Sequence, residues 1–261
     1  MSDHPEGAGN QSIQPGLLAS IKEQLRKQLG CEPPPELLRR FALELLRAAP
    51  ALAAAKDKLS RKEAHTYWRN AADDANGPEA YLNADPLRGE LLLELIGRCR
   101  LESPSVLEIG CNAGRNLECL RQAGFTQLAG IEISQTAVDL LHRHFPQLAA
   151  TANIHVNPVE DVIRDFADHS ADLVFSMAVL VHIHTDSDWV LGEIARIARQ
   201  NIITIEDERS NTERHFRRDY HKVFANLGFS QLHEQDCKGI GGLDAYYTAR
   251  VFRREPGNRL L

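Results

Sequence analysis

The sequence predicts an α/β fold built on a doubly wound sheet of seven strands, with the last two strands antiparallel. Between residues 85 and 252, short apolar runs bounded by turn residues alternate with segments of helical periodicity. A glycine loop, 110–114, directly follows one apolar run and opens a helix. After Gly228, two apolar runs follow each other without a helix between them, which indicates an antiparallel pair closing the sheet.

Each element has its own signal in the sequence. Seven apolar runs are predicted as strands: 105–109, 128–132, 154–157, 172–177, 201–205, 229–234 and 245–252. Capping residues and apolar residues at helical spacing predict the helices 86–99, 115–122, 135–145, 159–166, 186–199 and 215–227. Because helices alternate with the first five strands, those strands are expected to be parallel.

The first 84 residues have a different pattern. Residues 1–14 are polar and glycine-rich and predict a mobile tail. Residues 15–84 predict a helical extension, in which two amphipathic helices precede a third that the Ser60–Glu63 capping box opens. We place the only domain boundary near residue 85, so that 85–261 is the α/β domain. Three roles are open for the extension: packing on the sheet edge, a lid over a ligand, or the surface of a homodimer.

Composition and charge disfavour several classes of protein. The formal net charge of −6 gives no attraction to a polyanion, so nucleic acid is disfavoured as a partner. No apolar run approaches the ~20 residues of a membrane span, and residues 1–14 lack the apolar centre of a signal peptide. We therefore expect a cytoplasmic protein. The five cysteines are odd in number and form no C-x-x-C pair, so neither a disulfide framework nor a metal site is predicted.

The glycine loop lacks the residues of two common nucleotide-binding motifs, and this indicates which ligand it binds. A dinucleotide fingerprint would need glycine at 110, 112 and 115, but asparagine and arginine occupy the last two positions. The chain has no Gly-Lys-Ser/Thr ending of a triphosphate-binding loop. An adenosine ligand without phosphates remains, with Glu132 at the end of the second strand binding the ribose. S-adenosylmethionine fits, because Gly110 and Gly114 allow close approach and Glu108 offers a carboxylate to a cation.

Two segments resemble a known family. Val106–Asn116 and Gly130–Ser134 are similar to motif I and the second-strand acid of class I S-adenosylmethionine-dependent methyltransferases, and the resemblance extends over roughly Ser105–Arg253. It implies a Rossmann-like sheet and S-adenosylmethionine as the cofactor. The cofactor-binding residues that it implies are Glu108, Gly110, Asn112 and Gly114 at the methionine part, Glu132 at the ribose, Ile133 and Asp161 at the adenine, and Met177 on the fourth strand. A further similarity around Tyr67–Arg69 and Asn76–Tyr81 places Trp68 or Tyr81 near the methionine end.

The catalytic candidates follow the fourth and fifth strands, because ligands of open α/β sheets bind at the carboxyl ends of the strands. His182 falls where class I enzymes often carry a histidine, and it is the first candidate for a general base. Glu206 and Asp207, after the fifth strand, are the next candidates. His184 is expected beside the substrate. The alternatives are a packing role for the histidine and a solvated loop for the acids.

A basic cluster, Arg214–Arg218, lies at the start of the helix predicted from residue 215. Cations at a helix N-terminus oppose the helix dipole, so another interaction should favour them. Arg214, His215 and Arg218 are predicted to bind a carboxylate or phosphate of the substrate, the alternative being ion pairs with neighbouring acids.

The residues together predict methyl transfer to an oxygen or nitrogen atom of a small, anionic molecule. Two other classes of function stay open at this point. One is a methyltransferase acting on a macromolecule, either protein or RNA. The other is a non-catalytic module that binds S-adenosylmethionine and acts through its N-terminal helices.

Overall fold

The structure is a computed structural model, and it describes residues 26, 58–71, 76–243 and 246–257. The predicted tail, 1–14, lies outside the described residues, as do the two helices predicted before residue 47, apart from Arg26. Residues Leu59–Leu261 form one compact unit. The domain boundary near residue 85 and the role of the helical extension stay predictions.

Seven strands form one mixed sheet. They are β1 (Ser105–Ile109), β2 (Gln127–Glu132), β3 (Asn153–Val156), β4 (Ala171–Met177), β5 (Ala198–Asp207), β6 (Phe229–Asp236) and β7 (Tyr247–Arg254). Their order across the sheet is β3-β2-β1-β4-β5-β7-β6. Strands β1 to β5 are parallel, whereas β7 is antiparallel to both β5 and β6. The predicted Rossmann-like, doubly wound architecture is confirmed, including its antiparallel end.

The described part of the chain contains nine α-helices. They are α1 (Arg61–Arg69), α2 (Pro78–Leu82), α3 (Leu87–Cys99), α4 (Arg115–Gln122), α5 (Gln135–His144), α6 (Pro146–Thr151), α7 (Val159–Val162), α8 (Trp189–Ile197) and α9 (Tyr220–Asn226). Single 3₁₀ turns occupy Ile163–Asp165, Leu180–His182 and Thr185–Ser187. Within these ranges, no helix combines the length and the hydropathy that crossing a membrane requires.

Helices cover both faces of the sheet. One apolar cluster joins the sheet to α3 and α4, and a second joins it to α8 and α9. The neighbouring residues Leu173 and Val174 of β4 belong to opposite clusters, because successive side chains of a strand point to opposite faces. Burial on both faces explains why β4 is a continuous apolar run in the sequence. The carboxyl ends of β1, β2 and β4 meet at one edge of the sheet.

The helix starts near this edge follow their predicted capping residues. At α1 the Glu63 amide donates to Ser60 Oγ at 3.4 Å, and the Ser60 amide donates to the Glu63 carboxylate at 2.8 Å, which completes the capping box. At α3 the Asp85 carboxylate accepts a hydrogen bond from the Leu87 amide at 3.0 Å. Helix α1 therefore begins where the sequence indicates, whereas α3 begins at Leu87, one residue after the predicted start at Pro86.

The last helix is shorter than predicted. It begins at Tyr220 because Asp219 caps it, accepting a hydrogen bond from the Lys222 amide at 3.0 Å. Residues 215–219 form a loop instead, in which Phe216 is buried and its amide donates to the Val181 carbonyl at 2.6 Å. The basic cluster thus does not lie at a helix N-terminus, and the dipole argument for an anion site there is wrong.

Two other helix boundaries differ from the prediction. The segment predicted as helix 159–166 is α-helical only to Val162 and then continues as a 3₁₀ turn. Asp186 lies within a 3₁₀ turn, so α8 begins at Trp189. The same helix ends at Ile197, because β5 starts with Ala198, earlier than the apolar run suggested.

The packing around Gly114 provides a test of the loop geometry. Gly114 has φ +77°, and a Cβ there would lie 2.4 Å from Leu141 Cδ1, a buried side chain. Gly124 also has positive φ, +95°, but a Cβ there would meet nothing within 4 Å. We expect Gly114→Ala to lower the free energy of unfolding by about 2–5 kcal/mol, and Gly124→Ala by only about 1–2 kcal/mol. Urea denaturation measures both, and equal losses would contradict the packing argument.

Candidate active site

A cleft opens at the carboxyl ends of β1, β2 and β4, and α1 forms one wall of it through Ala64, His65 and Trp68. Most of the cofactor residues predicted from the sequence line this cleft, namely Glu108, Gly110, Asn112, Glu132, Ile133, Met177 and Trp68. His182 and His184 line it as well. The fold therefore brings together residues from four separate segments that the sequence could only group by resemblance.

Glu132 joins the glycine loop to the start of α5. Its residue is 6% exposed, and its two carboxylate oxygens accept hydrogen bonds from the Asn112 and Ser134 amides, each at 2.8 Å. Burial raises the pKa of Glu132, although these backbone hydrogen bonds act in the opposite direction. The carboxylate is thus fixed at the end of β2, on the wall of the cleft, where a ribose-binding acid is expected.

Glu108 leaves one buried oxygen without a partner. Its residue is 1% exposed, Asn116 Nδ2 donates to Oε1 at 2.7 Å, and Oε2 accepts no hydrogen bond from the residues that the structure describes. Burial raises the pKa of Glu108 to about 8. An unsatisfied buried acceptor that lines a cleft fits a cationic donor, such as the ammonium of an amino-acid ligand. The sequence analysis did not identify Asn116 as a site residue. The only feature that could have indicated it is its position in the first turn of α4, beside the strand that carries Glu108.

The glycine loop has three residues with positive φ. Gly110 has φ +73°, and a Cβ there would lie 2.4 Å from Val179 Cγ2, so glycine is required to let the loop after β4 approach. Asn112 has φ +45°, which asparagine tolerates better than most residues. Its Oδ1 accepts a hydrogen bond from the Ala113 amide at 2.7 Å. Asparagine therefore preserves the loop where related motifs often have glycine.

Two predicted cofactor residues do not line the cleft. Gly114 packs against Leu141 instead, and Asp161 is exposed on α7. Its neighbour Glu160 lines the cleft and lies 3.0 Å from His65 Nε2 of α1. The contact ties the N-terminal wall to α7 across the cleft. Neither His65 nor Glu160 was predicted, because nothing in the sequence pairs residues that are 95 positions apart.

His182 is held in one orientation at the centre of the site. Its ring stacks on Trp68 with centroids 4.3 Å apart, and its Nδ1 lies 3.0 Å from the Arg214 carbonyl oxygen. A carbonyl oxygen only accepts hydrogen bonds, so Nδ1 carries the proton and Nε2 is the acceptor of the neutral ring. Burial lowers the pKa of His182 to about 3. The ring is consequently neutral over the physiological pH range.

Glu206 has a different role from the one predicted. It is fully buried and accepts hydrogen bonds from Ser176 Oγ at 2.8 Å and from the amides of Val179, Leu180 and Val181 at 3.1 Å. Burial raises its pKa to about 7, against the effect of these donors. It does not line the cleft. Because its oxygens are directed at the loop after β4, we assign it to shaping that loop and not to proton transfer.

Asp207 also lies outside the cleft. Its Oδ1 accepts hydrogen bonds from the Arg209 and Ser210 amides at 2.9 and 2.8 Å, which close a turn after β5. Burial acts to raise the pKa of Asp207, but the Ser210 and Arg209 hydrogen bonds outweigh it and the pKa is lowered. Asp207 Oδ2 lies 3.9 Å from His215 Nδ1. Asp207 therefore positions the turn after β5, and it does not contact the substrate.

The N–H donors of Arg218 are all bound by other groups of the protein. Its guanidinium donates to the Asp188 carboxylate at 2.8 and 2.5 Å and to the carbonyl oxygens of Leu180, Phe216 and Ile183 at 2.7–2.8 Å. Its side chain is only 7% exposed. The predicted substrate clamp is therefore corrected at this position, because no donor remains for a ligand. Arg218 does form an ion pair, as the alternative expected, but its partner is Asp188, 30 positions away, and not an acid near it in the chain.

A second cavity adjoins the cleft. Seven residues line both, namely Trp68, Asn76, Tyr81, Ala84, Arg88, Ala178 and His182. The second cavity is lined in addition by Ala80, Asp85, Arg214, His215, Gly241, Gly242 and Tyr247. The Arg214 guanidinium lies over the Tyr67 ring, 4.4 Å from its centroid. Two of the predicted substrate residues, Arg214 and His215, thus reach this cavity, whereas His184 lines the cleft, where its Nδ1 accepts from the Asp186 amide at 3.0 Å.

Comparisons with known proteins agree with the geometry. Residues 107–204 match the family model described as "Methyltransferase domain". Among solved structures, magnesium protoporphyrin IX methyltransferase from Synechocystis PCC 6803 with bound S-adenosylmethionine superposes with a TM-score of 0.54 at 17% identity, over 76% of this chain and 98% of that one. Geranyl diphosphate C-methyltransferase from Streptomyces coelicolor A3(2) gives a TM-score of 0.56 at 13% identity, over 75% and 98%.

A putative RNA methyltransferase from Pyrococcus horikoshii gives a TM-score of 0.52 at 16% identity, covering 77% of this chain and all of that one. None of the curated proteins matches the sequence. The substrates named for these three proteins differ widely. Similarity to them therefore identifies the fold only, and the methyl acceptor has to be inferred from the residues of this chain.

The protonation of Glu108 makes cofactor binding depend on pH. With a pKa of about 8, the buried carboxyl is protonated at pH 7 when no cation is present. An ammonium at Oε2 favours the carboxylate, so binding should release about one proton and should tighten as the pH rises from 6 to 8. Calorimetry with S-adenosylhomocysteine in two buffers of different ionisation enthalpy measures the proton release. Glu108→Gln should abolish it and weaken binding at least about tenfold, with the exposed Glu90→Gln as control. Binding without proton release in the wild type would contradict the assignment.

Proposed function

We propose that the chain is a class I S-adenosylmethionine-dependent methyltransferase and that it methylates an oxygen or nitrogen atom of a small, anionic molecule; the match of residues 107–204 to a methyltransferase-domain model supports the reaction. The observation that carries this proposal is the second cavity, which adjoins the cofactor cleft at His182 and is lined by the cations Arg88 and Arg214. A carboxylate or phosphate is the ligand chemistry that such a lining recognises.

Different residues of the cleft would bind different parts of the cofactor. Glu108 would face the ammonium, Glu132 the ribose hydroxyls, and Ile133 the adenine, which agrees with their places on the ends of β1 and β2. S-adenosylmethionine supplies a methyl group on a sulfonium, and its reactivity belongs to the cofactor. The protein contributes mainly placement, which can account for ~7–11 kcal/mol of the barrier.

His182 is the residue best placed to take a proton from the acceptor. It lines both the cleft and the second cavity, and the Arg214 carbonyl fixes the tautomer in which Nε2 accepts. A hydroxyl or amine of the acceptor would donate to Nε2 while its lone pair faces the methyl group. The bond from the acceptor to the methyl carbon would form as the carbon–sulfur bond of the cofactor breaks, and Nε2 would take the proton that the acceptor releases and pass it to solvent.

Arg214 connects the two parts of this arrangement. Its backbone carbonyl orients His182, and its side chain, 29% exposed, lines the second cavity beside Tyr67. The polar lining around His182 also favours an enzyme over a non-catalytic binding module, since a module would need only an apolar wall at the methyl group. A cytoplasmic location and a homodimer through the N-terminal helices stay predictions from the sequence.

A turnover assay with matched acceptors tests the function. Hydroxy and amino acids are each compared with the corresponding neutral amide, and a mass increase of one methyl group identifies the product. We expect kcat/KM to be at least about tenfold higher for the acids, because a desolvated guanidinium discriminates charge. Arg214→Gln should remove this preference through a raised KM, whereas Arg143→Gln, an exposed arginine on α5, should not. Methylation of transfer RNA or peptides, with none of the small acids, would contradict the proposal.

The role of His182 is tested by its removal and by the pH profile. His182→Ala should lower kcat by ~10²–10⁴ while changing the affinity for S-adenosylhomocysteine by less than about threefold. His142→Ala, on the exposed face of α5, is the matched control. Since burial holds the pKa of His182 at about 3, wild-type kcat should not fall between pH 8 and pH 5 through this group. A loss of less than tenfold in His182→Ala would make the residue structural.

A further inference from the structure

Arg88 is a half-buried cation that forms no ion pair among the described residues, although the Asp85 carboxylate lines the same cavity. Its one hydrogen bond in that part of the chain runs from Nε to the Gly241 carbonyl oxygen at 2.9 Å. Two arginines with little exposure are paired with acids, Arg218 with Asp188 and Arg250 with Glu208. A partly desolvated guanidinium normally gains a charged partner, so the remaining N–H groups of Arg88 are available to an anion.

The protein fixes the guanidinium at the wall of the second cavity. The turn that contains Gly241 is itself fixed, since the Gly241 amide donates to the Asp85 carboxylate at 2.8 Å. At Gly242, where φ is +71°, a Cβ would lie 1.8 Å from Arg88 Nη2, so the guanidinium can occupy its place only because this residue is glycine. A cation positioned in this way loses little conformational entropy when it binds.

Arg88 lines both cavities, whereas Arg115 lines only the cofactor cleft. The Nη1 of Arg115 donates to the Asp85 carbonyl at 3.2 Å. An acid group in the second cavity can therefore meet Arg88, while Arg115 is the arginine on the cofactor side.

Aromatic rings line the same cavity as Arg88. Trp68, Tyr81 and Tyr247 all belong to its wall. Asp85 lines the cavity as well, and its carboxylate accepts hydrogen bonds from the Leu87 and Gly241 amides. Flat, apolar surfaces beside a fixed cation suit an aromatic ring that carries an acid group.

We propose that Arg88 binds the carboxylate of the methyl acceptor and that this acceptor is a small aromatic acid whose ring lies among Trp68, Tyr81 and Tyr247. This inference rests on the proposed function and names the substrate class of the same site. It assigns to Arg88 the anion-binding role that the sequence had predicted for Arg218.

Binding to the protein saturated with S-adenosylhomocysteine tests the proposal without turnover. The probes are 4-hydroxybenzoate and 4-hydroxybenzamide, which share a ring and differ in charge, and the affinities are measured by calorimetry. Arg88→Gln should weaken 4-hydroxybenzoate binding about 10- to 100-fold and leave 4-hydroxybenzamide unchanged. Arg88→Lys, which keeps the charge but not the fork of donors, should lie between the two. Arg98→Gln is the matched control, since Arg98 lies on the same helix and pairs with Glu94 at 2.7 Å.

The outcomes separate the two proposals. Loss of affinity for S-adenosylhomocysteine in Arg88→Gln, with 4-hydroxybenzoate unaffected, would assign Arg88 to the cofactor carboxylate and overturn the inference alone. Hexanoate binding as tightly as 4-hydroxybenzoate would overturn the aromatic part. Wild-type protein that binds S-adenosylhomocysteine but neither acid would overturn the proposed function as well.

Discussion

The buried carboxylate of Glu206 is the interaction on which the site depends. Burying a carboxylate at the end of β5 costs free energy unless several hydrogen-bond donors bind it. Glu206 obtains these donors from Ser176 and from three successive amides of the loop after β4. The loop must therefore turn back over β5. That turn presses Val179 against Gly110 of the glycine loop and carries His182 to the junction of the cleft and the second cavity.

The N-terminal wall completes the site from outside the sheet. α1 is joined to the rest by the His65–Glu160 contact, by the stacking of Trp68 on His182, and by Arg214 over Tyr67. The Leu59 amide also donates to the Glu213 carbonyl at 3.0 Å. These contacts connect α1 to the loops after β3, β4 and β5. A segment that is not part of the sheet thus determines which faces of His182 and Arg214 a ligand can reach.

The arginines show how the same residue type acquires opposite roles. Asp188 and backbone carbonyls satisfy the donors of Arg218, and these hydrogen bonds fix the loop around residue 216. Arg88 is held by one backbone carbonyl and keeps donors for a ligand. Charge and position in the sequence do not separate these cases. The number of acceptors that the fold brings within hydrogen-bonding distance does.

The sequence by itself determined the sheet, its antiparallel end, the glycine loop and the acids at the ends of β1 and β2, because periodicity and short-range turn chemistry encode these features locally. Only the tertiary structure decided that Asn116 donates to one oxygen of Glu108, that Glu206 shapes a loop, and that Asp219 delays the start of α9 beyond the basic cluster. Such contacts join residues far apart in the chain or depend on competing caps, and burial, which sets their energies, is a property of the folded chain alone.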